Sequence, residues 1–156
     1  MTRLFGPRVV RISERSGQWA VKSVTLNGAE ITDTPFHFKK AVDPLNLRVV
    51  VTLNTATVSG VTAGASGKPI AGRVVVLDAD ESHWAATSRF VRSIESGSDG
   101  RYRIDGLLPG TYRIAAVTYL EEGAWYDVEV LRQLAGQATP LTITSRQNQT
   151  INLTAR

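Results

Sequence analysis

Few residues in this chain could carry chemistry. It has two histidines, His37 and His83, and no cysteine. Disulfides and thiolate metal sites are therefore excluded, and a catalytic zinc, which needs about three protein ligands, has little to draw on. His37 lies between Phe36 and Phe38, where strand alternation puts it opposite the two phenylalanines and into solvent. His83 sits in the polar run Asp78-Ala79-Asp80-Glu81-Ser82-His83-Trp84, which offers at most a weak cation site. That run lacks the glycine and the distal bidentate glutamate of an EF-hand loop, so a solvated loop is the reading. No Gly-x-Ser-x-Gly elbow occurs, and no His/Asp partner can be nominated for a serine. Gly60, Gly64 and Gly67 precede Lys68 without the spacing or following helix of a phosphate loop. The expectation is a non-enzyme with no cofactor and no metal.

Aromatic side chains offer a different chemistry. Trp84, Tyr119, Trp125 and Tyr126 flank loops, with Glu121 and Glu122 adjoining. An exposed aromatic beside polar groups binds sugars by stacking plus hydrogen bonds, so these four are the candidate ligand-binding residues. The competing and favoured reading is that the two tryptophans close the ends of a core, because large aromatics bury most of their area.

The net charge is +4. Arg8, Arg11, Arg15, Arg73, Arg89, Arg92, Arg101, Arg103 and Arg113 are scattered among acids, as on solvent-facing strand positions, and form no dense basic run. Nucleic acid is not an expected partner. No apolar run approaches the roughly 18 residues that span a bilayer, so no membrane insertion is expected. Met1 to Pro7 has no apolar h-region, and the sequence carries no signal peptide.

The elements that would position these residues are short strands between turn signals. In Gln18 to Leu26 the alternation slips once near Ser23-Val24, as a bulge would make it. Asn27-Gly28 is a hairpin turn, Asp43-Pro44 another turn, and Leu47 to Leu53 a strand with Leu47, Val49, Val51 and Leu53 in phase. Thr57 to Thr62 opens a second set. Val74-Val75-Val76-Leu77 reads as a strand buried on both faces, and Arg89 to Ile94 as the next. Asp127 can cap a helix that turns Val128, Leu131, Leu134 and Ala135 to one face and stops at Gly136, covering an edge or end of the sheets. Leu141 to Thr144 and Gln149 to Thr154 are the last strands, joined by a polar turn. Regular short strands of this kind form an all-β sandwich.

The stretch Asp99-Gly100-Arg101-Tyr102-Arg103-Ile104-Asp105-Gly106-Leu107-Leu108-Pro109-Gly110-Thr111-Tyr112-Arg113-Ile114 organises the rest. Tyr102 and Ile104 share one strand face, Arg101, Arg103 and Asp105 the other, and Pro109-Gly110 suits a type II turn. It resembles the signature of carboxypeptidase regulatory-like domains, within the prealbumin-like (transthyretin-like) and Cna B-type β-sandwiches. The resemblance covers about Thr57 to Thr154 and implies a Greek-key sandwich; it fixes no function, because that architecture hosts many. Three activities known in related sandwiches lack their residues. Transthyretin-like hydrolases end in a Tyr-Arg-Gly-Ser tail, whereas this chain ends Leu153-Thr154-Ala155-Arg156. Related dioxygenases hold iron with two tyrosines and two histidines, and neither histidine here has that setting. Cna B-type isopeptide bonds join a first-strand lysine to a last-strand asparagine. Asn152 could serve, but Thr57 to Thr62 has no lysine and Ala115-Ala116 stands where the assisting acid belongs.

Gly17-Gln18-Trp19 and Gly123-Ala124-Trp125 each follow a β-prone run and precede a turn-rich stretch and a closing apolar strand. This suggests an internal repeat. Residues 1–55 would be a partial β module, the second half of a preceding sandwich repeat, and 56–156 a complete domain with one short helix near 128–135. The expected role is a non-catalytic structural or interaction module of a larger extracytoplasmic bacterial protein, spacing or docking neighbours. Its partners would be neighbouring domains or another protein chain. The alternative is a carbohydrate-binding module with a glycan as partner.

Overall fold

The structure, a computed structural model, describes residues 6–12, 18–38, 46–85 and 88–156. Gly17, Asp43 and Pro44 lie outside these. The chain divides into two compact units, Met1–Leu53 and Asn54–Arg156.

In the first unit, β1 (Gly6–Arg8) pairs antiparallel with β4 (Phe36–Phe38). A second sheet has the order β3 (Ala29–Glu30), β2 (Ala20–Leu26), β5 (Leu47–Thr52). Asn27 (φ 49°) and Gly28 (φ 84°) both take left-handed backbone, the type I′ geometry that matches the twist of a two-residue hairpin. The slip in alternation is a bulge. Val21 pairs with Val51 and Ser23 with Val50, so Lys22 is the extra residue. The bulge returns Val24 and Leu26 to the inner face, where they bury with Ile31. Thr32 secures the return, its Oγ1 accepting from the Val24 N–H at 2.8 Å. On the edge strand β5, Leu47 and Val51 stay exposed, as does Leu53 directly after it, by 66%.

The second unit packs two sheets. One has the order β11 (Thr139–Ile143), β10 (Gly110–Val117), β7 (Arg73–Asp78), β8 (Val91–Glu95), all antiparallel. The other is centred on β6 (Ala56–Ala63), which pairs antiparallel with β9 (Arg101–Leu107) and parallel with β12 (Asn148–Thr150) and β13 (Leu153–Thr154). Val58, Val74, Val76, Tyr102, Ile104, Tyr112, Ile114 and Leu141 bury between the sheets.

β7 is buried on both faces, as its apolar run predicts. Val74 and Val76 face the interior of the sandwich, whereas Val75 and Leu77 enter a second cluster with Trp84, Val117, Trp125, Leu131 and Leu134. The helix α1 (Val128–Gln137) supplies the leucines of that cluster. It therefore covers the outer face of a sheet rather than an edge or end. Asp127 caps it by accepting from the Glu129 N–H at 2.8 Å, but Gly136 does not stop it; the helix runs on to Gln137.

Two more expectations change. The left-handed glycines of the signature are Gly100 (φ 76°) and Gly106 (φ 75°), while Gly110 lacks positive φ and starts β10 opposite Ile143, so Pro109-Gly110 is no type II turn. The single last strand is two: Ile151 and Asn152 interrupt the ladder between β12 and β13.

Candidate functional site

A shallow cleft of about 370 Å³ lies in the second unit, formed by the start of β7, the end of β8 and the segment after β10. Strand register puts Arg73 directly opposite Glu95. The Arg73 Nη2 lies 3.7 Å from Glu95 Oε2 and 3.3 Å from Glu122 Oε2. Its guanidinium also stacks over the Trp125 ring, 4.8 Å from the centroid. Trp125 is presented by a 3-10 turn, Ala124–Tyr126, that Gly123 opens with φ 86°. A cation held on an aromatic face and flanked by two carboxylates has little freedom left. The Arg73 side chain is 18% exposed, whereas both glutamates reach into solvent. Thr118, Tyr119 and Leu120 complete the lining, and Tyr119 is 80% exposed. With one cation against two carboxylates, the cleft carries a net negative charge and presents donors and acceptors together.

The four aromatics expected to bind ligand part company. Trp84 follows a 3-10 turn (Glu81–His83) whose cap, Asp80, accepts from the Ser82 N–H at 2.9 Å. Hydrogen bonds from Ser82, through its side chain and its backbone, hold the Asp80 carboxyl below its usual range. The Trp84 Nε1–H donates to the Asp78 carbonyl at 2.8 Å, and the ring is buried in the helix-covered cluster. Trp125 is buried in the same cluster. Tyr126 is exposed, its ring 5.6 Å from that of Trp125, and Tyr119 alone of the four lines the cleft. The four do not form one exposed platform.

His37 is exposed on β4. His83 is not simply solvated: its ring stacks on Phe90 at 4.4 Å and its Nδ1 lies 3.3 Å from Asp78 Oδ2. Among the described residues no group of three or more histidine or acidic side chains could hold a metal ion. The Asn152 Oδ1 accepts from the Val61 N–H of β6 at 3.1 Å.

Arg73, Glu95 and Glu122 were not readable as a group. Arg73 counted among the solvent-facing arginines, and the structure corrects that. Its neighbours come from a strand pairing and from a loop, neither of which leaves a local spacing to find. The one signal available was the adjacency of Glu121-Glu122 to Tyr119 and Trp125.

Two sheets packed face to face, a parallel pairing between the first and last strands and a helix laid on one outer face define a prealbumin-like β-sandwich. The sequence profile of the carboxypeptidase regulatory-like domain matches residues 57–156, and the chain belongs to that family. No curated protein sequence matches it. Among solved structures it is similar to the streptococcal ancillary pilin, with 17% identity over 78% of this chain and 38% of that one (TM-score 0.43). It is also similar to BcpA, the major pilin subunit of Bacillus cereus, with 13% identity over 88% and 56% (TM-score 0.42). A third is a Pseudomonas aeruginosa protein provisionally described as carbohydrate binding, with 16% identity over 65% and 88% (TM-score 0.40). The chain thus spans about a third to a half of the two pilins' lengths.

Proposed function

We propose that this chain is a non-catalytic structural and interaction module of a larger extracytoplasmic bacterial protein, spacing or docking neighbouring domains. On this reading residues 1–55 are a partial β module, the second half of a preceding sandwich repeat. The observation that carries it is β5. An edge strand with Leu47 and Val51 exposed, followed directly by the exposed Leu53, is a surface that folded proteins cover. In the second unit the buried side chains of Thr62 and Ser96 are spent on the fold. The Thr62 hydroxyl meets the Ile70 carbonyl at 2.6 Å and the Ser96 hydroxyl at 2.8 Å, and Ser96 Oγ accepts from the Gly72 N–H at 2.9 Å. Placement outside the cytoplasm rests on the family resemblance; among the described residues no helix is long and apolar enough to cross a membrane.

The test exploits the absence of cysteine. Val51→Cys gives one thiol, whose alkylation rate is compared in the 156-residue chain and in the natural polypeptide that carries it. Docking predicts that the natural context slows the reaction by about tenfold or more, equivalent to about 1.4 kcal/mol of protection. Equal rates would refute it.

The glycan reading with tryptophan platforms loses support from the burial of Trp84 and Trp125. What supports sugar binding now is the exposed Tyr119.

A further inference from the structure

We propose that the cleft over Arg73 binds a neutral pyranose glycan, with Tyr119 as the stacking surface and Arg73, Glu95 and Glu122 as hydroxyl-binding groups. This deepens the glycan reading carried by Tyr119 and rests on it; it does not depend on the module reading.

Three observations carry the assignment. First, Tyr119 is the most exposed large hydrophobic side chain among the described residues, and it stands at the rim of a cleft rather than alone on a convex surface. An amphipathic ring so placed offers its face to the C–H side of a sugar at low entropic cost. Second, the polar groups are preorganised. Arg73 is pinned on Trp125 and its donors cannot wander, while Glu95 and Glu122 each approach it at only 3.3 to 3.7 Å and keep acceptor positions open to solvent. Third, the charge pattern selects among ligands. A phosphate, sulfate or uronate would meet two carboxylates for one guanidinium. A cation would have to compete with Arg73 for the same oxygens. Neutral hydroxyls can accept from the guanidinium and donate to the carboxylates at once. The cleft volume of about 370 Å³ falls in the range of small-ligand sites, roughly 300–1,000 Å³.

The experiment is an amide-resolved NMR titration of the whole chain with cellopentaose, xylohexaose, maltohexaose and an oligogalacturonate separately, repeated with Tyr119→Ala and Glu122→Gln. At least one neutral oligosaccharide should shift the amides of residues 71–73, 95 and 118–122, leaving β6 and β9 unmoved. Tyr119→Ala should weaken binding about tenfold, the loss of one stacking contact, with an unchanged spectrum elsewhere. Glu122→Gln keeps the shape of the side chain and removes its charge, and should weaken binding by roughly threefold or more while leaving the fold intact. The proposal is overturned if none of the three neutral sugars shifts the cleft amides at concentrations of roughly 10 mM, well above the millimolar affinity expected of so open a site. It is equally overturned if the shifts map elsewhere, if Tyr119→Ala binds as well as the parent, or if a uronate oligomer binds more tightly than every neutral one. None of these results bears on whether β5 is covered in the natural polypeptide.

Discussion

The phenol of Tyr102 donates a 2.6 Å hydrogen bond to the carbonyl of Ile151. That carbonyl belongs to the residue at which the closing strand breaks between β12 and β13. The signature aromatic of β9 thus reaches across β6 and holds the last segment of the chain in place. The same carbonyl lies where a Cβ on Gly60 would sit, 1.8 Å from its ideal position. Tyr102, Gly60 and Ile151 therefore form one joint: glycine lets the closing segment approach, and tyrosine satisfies the carbonyl that the interruption takes out of the ladder.

Tyr102→Phe removes the donor and leaves that partly buried carbonyl without it. A loss of roughly 1–2 kcal/mol is expected. For a chain of this size that corresponds to a fall in Tm of about 3–8 °C, read by calorimetry or denaturant unfolding. An unchanged midpoint would show that water replaces the phenol without cost.

Two glycine substitutions should act with opposite sign. Gly60→Ala puts a methyl group into the Ile151 backbone, a clash that no rotamer relieves, and should cost roughly 3 kcal/mol or more or prevent β12 and β13 from docking. Gly136→Ala, within α1, meets nothing within 4 Å and should stabilise by roughly 0.5–1 kcal/mol through helix propensity. Equal effects at the two sites would contradict the geometry of the joint.

Burial pushes the phenols of Tyr102 and Tyr112 up to about 12, with the Asp78 carboxylate adding to the effect at Tyr112. The sign follows from linkage. The folded state keeps protons that the unfolded chain releases near 10, so their contribution is complete below pH 10 and drains away as pH rises toward 12. A shift of about two units corresponds to roughly 2–3 kcal/mol for each tyrosine, an order-of-magnitude figure. Unfolding free energy should therefore fall steeply between pH 10 and 12, and less steeply in Tyr102→Phe. A flat profile across that window would refute the burial of these phenols.

Much of the fold was legible because its causes are local. Asn27-Gly28 can make a two-residue hairpin at little cost, and the slip beside Ser23 had to become a bulge for Val24 and Leu26 to share a buried face. The run Val74 to Leu77 has no polar alternation and so required cover on both sides. Asp127 could cap only a helix that begins where α1 does. Less of the candidate site was legible. Tyr119 could be named and the burial of the two tryptophans was the favoured reading, because large aromatics bury most of their area, but the partners that Tyr119 would meet were not readable.

Sequence alone, then, determined the sandwich, the Asn27-Gly28 hairpin and the apolar faces that build it, because propensity, alternation and capping act over a few residues. Tertiary structure decided which carbonyl Tyr102 reaches, which face of a sheet α1 covers, and that Arg73 meets Glu95, Glu122 and Trp125. Those relationships depend on strand register and loop path, which join residues far apart in sequence through many weak contacts. Local spacing leaves no record of them.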